Sequence, residues 1–554
     1  MESEEICFMP VSDLARRIGS GELSAVEVVD CFLDRIAQFD DQLHSYITVT
    51  ADIARAAAKH ADEERAKGRS LGLLHGVPFG LKDMFETRGV LTTAHSRVLQ
   101  HHVPTQDAAV VERLHGAGAV LLGKQASHEF AHGGPSFDLP WPPARNPWNP
   151  AHYTGSSSTG SAAAVAGGLA AFALGTDTGG SVRTPAWMCG LVGFKPSFGW
   201  VSRTGVIPFS SSCDHVGPIA RTVQDAAMVL QVIAGHDPRD SGSANLTPTD
   251  FRAQLGQDVR GMRIGVLRHH WEEDIRVNPE LRQAVDVALD VLRDLGAQIE
   301  EVRVRSLHEY YAVRIMLTES ELFARHQAHL REHAGDYGDH FLGRTLAACL
   351  FSSADYIAAQ RERRRMISEF DALHTRYDAF ITAGSGPAPH MNAHRSIGAQ
   401  QKWSSPSMGT VFSVTGAPAL ALPCGFSQAG LPLGLQIAGR HFDDARVLRI
   451  GHAYEQATQW HMRRPHMIAG AQAPAVDTGH DAPVIDADAQ TRAHVDASVR
   501  HAGLHLSDHQ LALLLESAPY AIAMAKKTNR ELPWSDEQSA VFRPDLDHST
   551  QSCE

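Results

Sequence analysis

The chain predicts an α/β core on a mixed or mostly parallel β-sheet, with a small helical unit near its C-terminal end. Three observations carry that expectation. Segments with helical apolar spacing alternate with short apolar runs up to about residue 235. The alternation resumes at Met262 with RIGVLR and returns at PALALPCGF and GLPLGLQIAGR. After Ala469 the composition shifts to AGAQAPAVDTGHDAPVIDADAQ, rich in Ala, Pro, Asp and Gly without a sustained period, which reads as a linker.

Taken in order, the first 70 residues read as helices. Ser24 caps a segment whose apolar residues Val28, Val29, Phe32, Leu33 and Ile36 fall near helical spacing, and a second helix covers about 53 to 66. From Leu71, GLLHGVPFGLKDMF mixes Gly and Pro with apolar residues, which suits short strands and tight turns. DAAVVERLHGAGAVLLGK reads helix, glycine stop, strand. A dinucleotide-binding fingerprint needs the opposite order, so that reading is rejected. AAAVAGGLAAFALGTD supplies a buried helix and strand between two glycine-serine turns. Near the end, Ser507 and Gln510 form a capping-box pattern before LALLL, and Pro519 is expected to kink or interrupt the segment after it.

Composition narrows the function classes. With 554 residues, 43 % apolar and 20 % charged, the chain has material for a large core. No apolar run approaches the ~18 residues that a membrane span requires. The opening MESEEICFMPVSDLARRIGSGE is acidic and then amphipathic, so no secretion signal and a cytoplasmic location are expected. Seven scattered cysteines, never in a C-x-x-C pair, argue against a disulfide framework or a thiolate zinc site. A net charge of -13 repels phosphate backbones, giving the expectation of no nucleic-acid partner.

Three stretches could carry chemistry. SHEFAHGG holds a literal H-E-x-x-H, His128, Glu129 and His132, which on a helix would present two imidazoles to zinc. Gly133, Gly134 and Pro135 follow at once, leaving only about one turn of helix, so the zinc hydrolase is a lesser alternative. TGSSSTGS and GTDTGGSVRTP flank one apolar helix-strand unit, a placement that does not suit flexible spacers. In the second, Gly179 and Gly180 can turn backbone N–H groups into one concavity, with Ser181 opening the next helix. Neither turn is G-x-S-x-G, so no histidine-based nucleophile elbow is signalled. Lys82, among Val77, Phe79, Leu81 and Met84, reads as a dry lysine whose neutral amine is a base.

Together, GVPFGLKDMFETRGVLTTAHS, GKQASHEFAHGG, RNPWNPAHYTGSSSTGS, the GTDTGGSVRTP region and GAPALALPCGFSQAGLPLGLQIAGR resemble the amidase signature family of serine amidohydrolases, in its order and over about residues 10 to 465. The resemblance implies a mixed central sheet covered by helices on both faces, as residues 1–468, followed by a linker at 469–489 and a helical extension at 490–554. It also implies a Ser-cisSer-Lys triad. Ser181 matches the nucleophile, Ser157 the bridging serine on a cis peptide bond to Ser156, and Lys82 the base. Thr178, Gly179, Gly180 and Ser181 match the oxyanion loop, and Ala131 a backbone position lining the acyl site. Ser158 and Asp177 are expected to support the turns. Ser156, Thr159 and Ser413 depart from the family pattern, with Ser413 expected to reshape the substrate side. Arg183 and His132 are read as packing or loop hydrogen bonds rather than contacts to a polar substrate group. ESAPY and QSAVFRPD resemble the small helical subunit of tRNA-dependent amidotransferases.

The function expected is cleavage of a C–N bond in a small or medium amide, carbamate or ureide, with no cofactor and no metal. The alternatives are the glutaminase subunit of an amidotransferase complex and a non-catalytic scaffold. For partners, the expectation is a small-molecule amide, carbamate or ureide substrate, no nucleic acid, no membrane, and at most a homodimer.

Overall fold

The computed structural model describes residues 2–394, 403, 406–476 and 482–528. Among them, eleven strands form one sheet: β1 Tyr46–Val49, β2 Pro78–Lys82, β3 Val120–Gln125, β4 Phe172–Asp177, β5 Val192–Lys195, β6 His215–Ala220, β7 Arg263–Val266, β8 Gln298–Glu301, β9 Ala379–Ala383, β10 Ala419–Phe426 and β11 Pro432–Gly439. Their order is β1-β3-β2-β4-β6-β5-β10-β11-β9-β7-β8. The sheet is mixed. β2 runs parallel to β3 and β4, β7 parallel to β8 and β9, and the middle pairs β4/β6, β5/β6, β5/β10 and β10/β11 are antiparallel.

Helices cover both faces, as the sequence predicts. The apolar spacing after Ser24 becomes the Ala25–Leu43 helix, and Ser24 Oγ accepts the Glu27 N–H at 3.0 Å. The helix-glycine-strand reading becomes Ala109–Gly116 followed by β3. PALALPCGF and GLPLGLQIAGR become the β10/β11 hairpin. β2, β3 and β4 are buried along their whole length, so alternation of polar and apolar residues is absent and short apolar runs mark them instead.

Past the linker lie two helices, Ala489–Ala502 and Asp508–Thr528. The capping pair forms: Ser507 N–H donates to Gln510 Oε1 (2.9 Å) and Gln510 N–H to Ser507 Oγ (3.3 Å). Pro519 does not interrupt the last helix, contrary to expectation. Packing outweighs the lost backbone bond here: Leu514, Ala518 and Ala521 are fully buried, and Ser517 Oγ donates to Gly343 O. The QSAVFRPD motif and residues 477–481 of the linker lie outside the described residues.

Candidate active site

β2 and β4 are neighbours inside the sheet, and their C-terminal ends deliver the reactive groups. Lys82 closes β2 and is fully buried. Its Nζ lies 2.7 Å from Ser157 Oγ and 2.7 Å from Thr176 Oγ1. Burial draws the Lys82 amine down to about 7, against the pull of Asp214 and Asp177, which favour its charged form. The next residue, Asp83, is pinned: Lys124 stands 3.3 Å from it, and its Oδ2 accepts the Thr93 N–H and hydroxyl at 2.8 and 2.5 Å. That fully buried pair holds the chain leaving β2.

The Ser156–Ser157 peptide bond is cis. Ser157 O accepts the His128 N–H at 3.1 Å, and the Ser158 N–H reaches Ser181 O at 3.3 Å, so the two serine-rich turns meet. Ser158 Oγ donates to Thr176 O at 3.4 Å across the same junction. Thr159–Gly167 then forms the buried helix expected between the turns.

Neighbouring residues at the end of β4 do different work, because side chains alternate along a strand. Thr176 faces Lys82. Asp177 is fully buried and accepts the Gly180 and Val182 N–H groups at 2.8 and 3.2 Å. Arg183 gives it two further bonds of 2.9 Å each. Burial alone would raise the Asp177 pKa, but the Arg183 guanidinium holds the carboxyl well below the usual range. Arg183 also donates to Gly409 O (3.0 Å), Gln436 Oε1 (2.6 Å) and Ser413 Oγ (2.8 Å). It is a packing residue, as expected. Ser413 is not on the substrate side: it is fully buried, bonded to Arg183 and to Gly409 O, which corrects its predicted role.

The oxyanion loop keeps part of its predicted donor set. The Gly180 N–H is already taken by Asp177, which closes the turn as an N-cap residue would, so the predicted Gly180 contribution is corrected. The N–H groups of Gly179 and Ser181 have no partner among the described residues. Gly180 has φ +124°, a conformation open to glycine. The Thr178 hydroxyl donates to Asp214 at 2.5 Å, and burial pushes the Asp214 carboxyl up to about 6.

Ala131 has φ +61° and Phe130 φ +46°, two adjacent left-handed residues that break the H-E-x-x-H segment. Its three polar side chains therefore part. His128 bonds Gly133 O and the Tyr153 hydroxyl at 3.1 and 3.0 Å. Glu129 accepts from Ser96 and from the Gly338 N–H at 2.6 and 2.9 Å, and His132 stands 3.0 Å from Glu319. They share no helical face. Sequence reasoning missed Thr176 and Asp214. Thr176, the one hydroxyl before Asp177 in an otherwise apolar strand, was the signal that could have found the first.

The sheet and the lysine-serine pair together define an enzyme class that cleaves C–N bonds. The Amidase family model matches residues 27–448, so the chain belongs to the amidase signature family. The A subunit of glutamyl-tRNA(Gln) amidotransferase from Roseiflexus sp. (strain RS-1) is 40 % identical over 484 residues, spanning 83 % of this chain and 98 % of that one. A solved structure described as a vestigial protein complex that reveals the evolutionary origins of an s-triazine catabolic enzyme is 33 % identical, with TM-score 0.76 over 83 % of this chain and 100 % of that one. The peptide amidase of Stenotrophomonas maltophilia is also 33 % identical, with TM-score 0.72 over 83 % and 98 %.

These findings correct the expected partners. A small-molecule substrate alone, with no nucleic acid and at most a homodimer, does not fit a relative that is by name one subunit of an enzyme acting on tRNA. The net charge misled because one chain's total charge does not describe an assembly in which another subunit can hold the nucleic acid. Among the described residues, no helix is long and apolar enough to cross a membrane.

Proposed function

We propose that the chain cleaves an amide C–N bond through an acyl-enzyme on Ser181, as the amide-hydrolysing subunit of an amidotransferase. The observation that carries the chemistry is a buried lysine whose partners are two hydroxyls, one of them on the turn that meets Ser181. Neutral Lys82 takes the Ser157 proton while Ser157 takes that of Ser181, and the freed oxygen attacks the carbonyl carbon. The Gly179 and Ser181 N–H groups face the oxygen that becomes negative. The C–N bond then breaks as the Lys82 ammonium returns the proton through Ser157 to the departing nitrogen. Water attacks the acyl-enzyme by the same relay and restores the hydroxyl. The role within an assembly is supported by the 40 % identity to the Roseiflexus amidotransferase chain over nearly its full length.

A second reading, an amidohydrolase working alone, is favoured by one observation. The chain's own helices Ala489–Ala502 and Asp508–Thr528 already cover part of its catalytic body. The test is ammonia release from glutamine by the purified chain, with and without candidate partner chains, alongside fluorophosphonate labelling. Labelling of the wild type and none of Ser181→Ala is expected. Equal labelling of both removes the acyl-enzyme, and partner-independent turnover of glutamine at full rate favours the second reading.

A further inference from the structure

We infer that Arg314 receives a carboxylate carried on the acyl part of the substrate, close to the carbonyl that Ser181 attacks. This rests on the reading of Ser181 as nucleophile and names the substrate class: ω-amides of short dicarboxylic acids.

Arg314 lies in the Leu307–His333 helix, in the run Tyr310 to Leu317 whose every member is buried. It is only 9 % exposed, yet its guanidinium makes no hydrogen bond or ion pair among the described residues, and its Nε is buried without a partner. Its one close companion is the Tyr311 ring, 5.1 Å from Cζ. Other buried arginines are used up. Arg183 serves Asp177 and three further acceptors, Arg221 serves Val165 O and Met9 O, and Arg344 serves Glu319 at 2.9 Å. A guanidinium kept out of water with no acceptor is costly unless an anion arrives.

Its position says where that anion sits. A methyl group placed on Gly179 would fall 2.8 Å from Arg314 Nη1 and 3.1 Å from Cζ, so the guanidinium lies directly against the candidate oxyanion loop. Nearby carboxylates are already committed. Glu319 pairs with Arg344 and His132, Asp177 with Arg183, and Asp214 accepts from Thr178, Phe209 and Ser210. None is left for Arg314. A planar fork suits a carboxylate in two parallel bonds, and its nearness to the loop limits the spacer between carbonyl and carboxylate to a few atoms. The side-chain amide of glutamine satisfies this, as does glutaramate.

The test compares glutaramate with pentanamide, which has the same chain length and no carboxylate, in wild type, Arg314→Met and Arg314→Lys. The glutaramate-to-pentanamide ratio of kcat/KM should fall by ~100-fold or more in Arg314→Met, because a site built around one polar group rejects ligands when its partner is gone. Arg314→Lys should recover part of it. Glutarate binding, followed by calorimetry, should be lost in Arg314→Met while thermal unfolding reports an intact fold. An unchanged ratio, or glutarate binding retained in Arg314→Met, overturns the proposal. A role on the oxyanion itself would lower both amides together and also overturns it. Failure of Ser181 labelling in the wild type would strike the acyl-enzyme reading, while glutarate calorimetry still decides Arg314.

Discussion

Lys82 shows how burial sets chemistry at the level of one residue. Its amine releases its proton near 7, whereas an unfolded lysine holds it to about 10.5. Activity needs the neutral form, so kcat/KM is expected to rise with pH through about 7 and fall away in acid, measured as a pH-rate profile on any turned-over amide. The sign for stability is the same. Between these two values the unfolded state binds the extra proton, so stability rises with pH, and Lys82→Met should remove that rise in denaturant titrations. Lys82→Ala should slow fluorophosphonate labelling by ~100-fold or more with the fold retained. Asp177 has the opposite character. Asp177→Asn leaves the buried Arg183 guanidinium without its charge partner and should cost about 3–5 kcal/mol in unfolding free energy. Both residues stand out in the sequence, but only Lys82 by its chemistry. The partners that complete the site were illegible, because Thr176 and Asp214 reach Lys82 and Thr178 through the fold and not through local spacing.

At the scale of elements, the glycine-serine turns and the strand ends that carry them decide what reaches the site. Gly180 adopts φ +124°, and a side chain there would also press Thr184 Oγ1 at 2.9 Å. Gly180→Ala is therefore expected to cost ~1–3 kcal/mol of backbone strain and to reduce Ser181 labelling, read by calorimetry and probe kinetics together. Helices and strands were largely legible, since apolar spacing and Gly or Pro stops mark Ala25–Leu43, Ala109–Gly116, β3 and the β10/β11 hairpin. Two local readings failed for physical reasons. Pro519 passes through a helix because tertiary burial compensates for one missing bond, and Gly180 gives its N–H to a carboxylate three residues back. The left-handed pair Phe130 and Ala131 could not be read either, since neither residue type favours that conformation.

Across the whole molecule, the C-terminal helices are part of the core and not a tail. Leu514, Ala518 and Ala521 are fully buried, with Leu513 and Met524 nearly so. Truncation after residue 488 would expose this face on the catalytic body, at roughly 1.5–3 kcal/mol for each large side chain uncovered. The truncated chain is expected to bind a hydrophobic dye and to self-associate in size-exclusion chromatography, while the full chain does neither. The partner class was the least legible feature at this scale, because net charge reports a sum and an assembly reports a surface.

Arg183 fastens the end of β4 to Gly409, Ser413 and Gln436, more than two hundred positions later in the chain. A ribosome making this protein therefore finishes the serine turns long before the residues that lock them exist. The nascent polypeptide stays catalytically silent until the β10/β11 hairpin emerges from the exit tunnel.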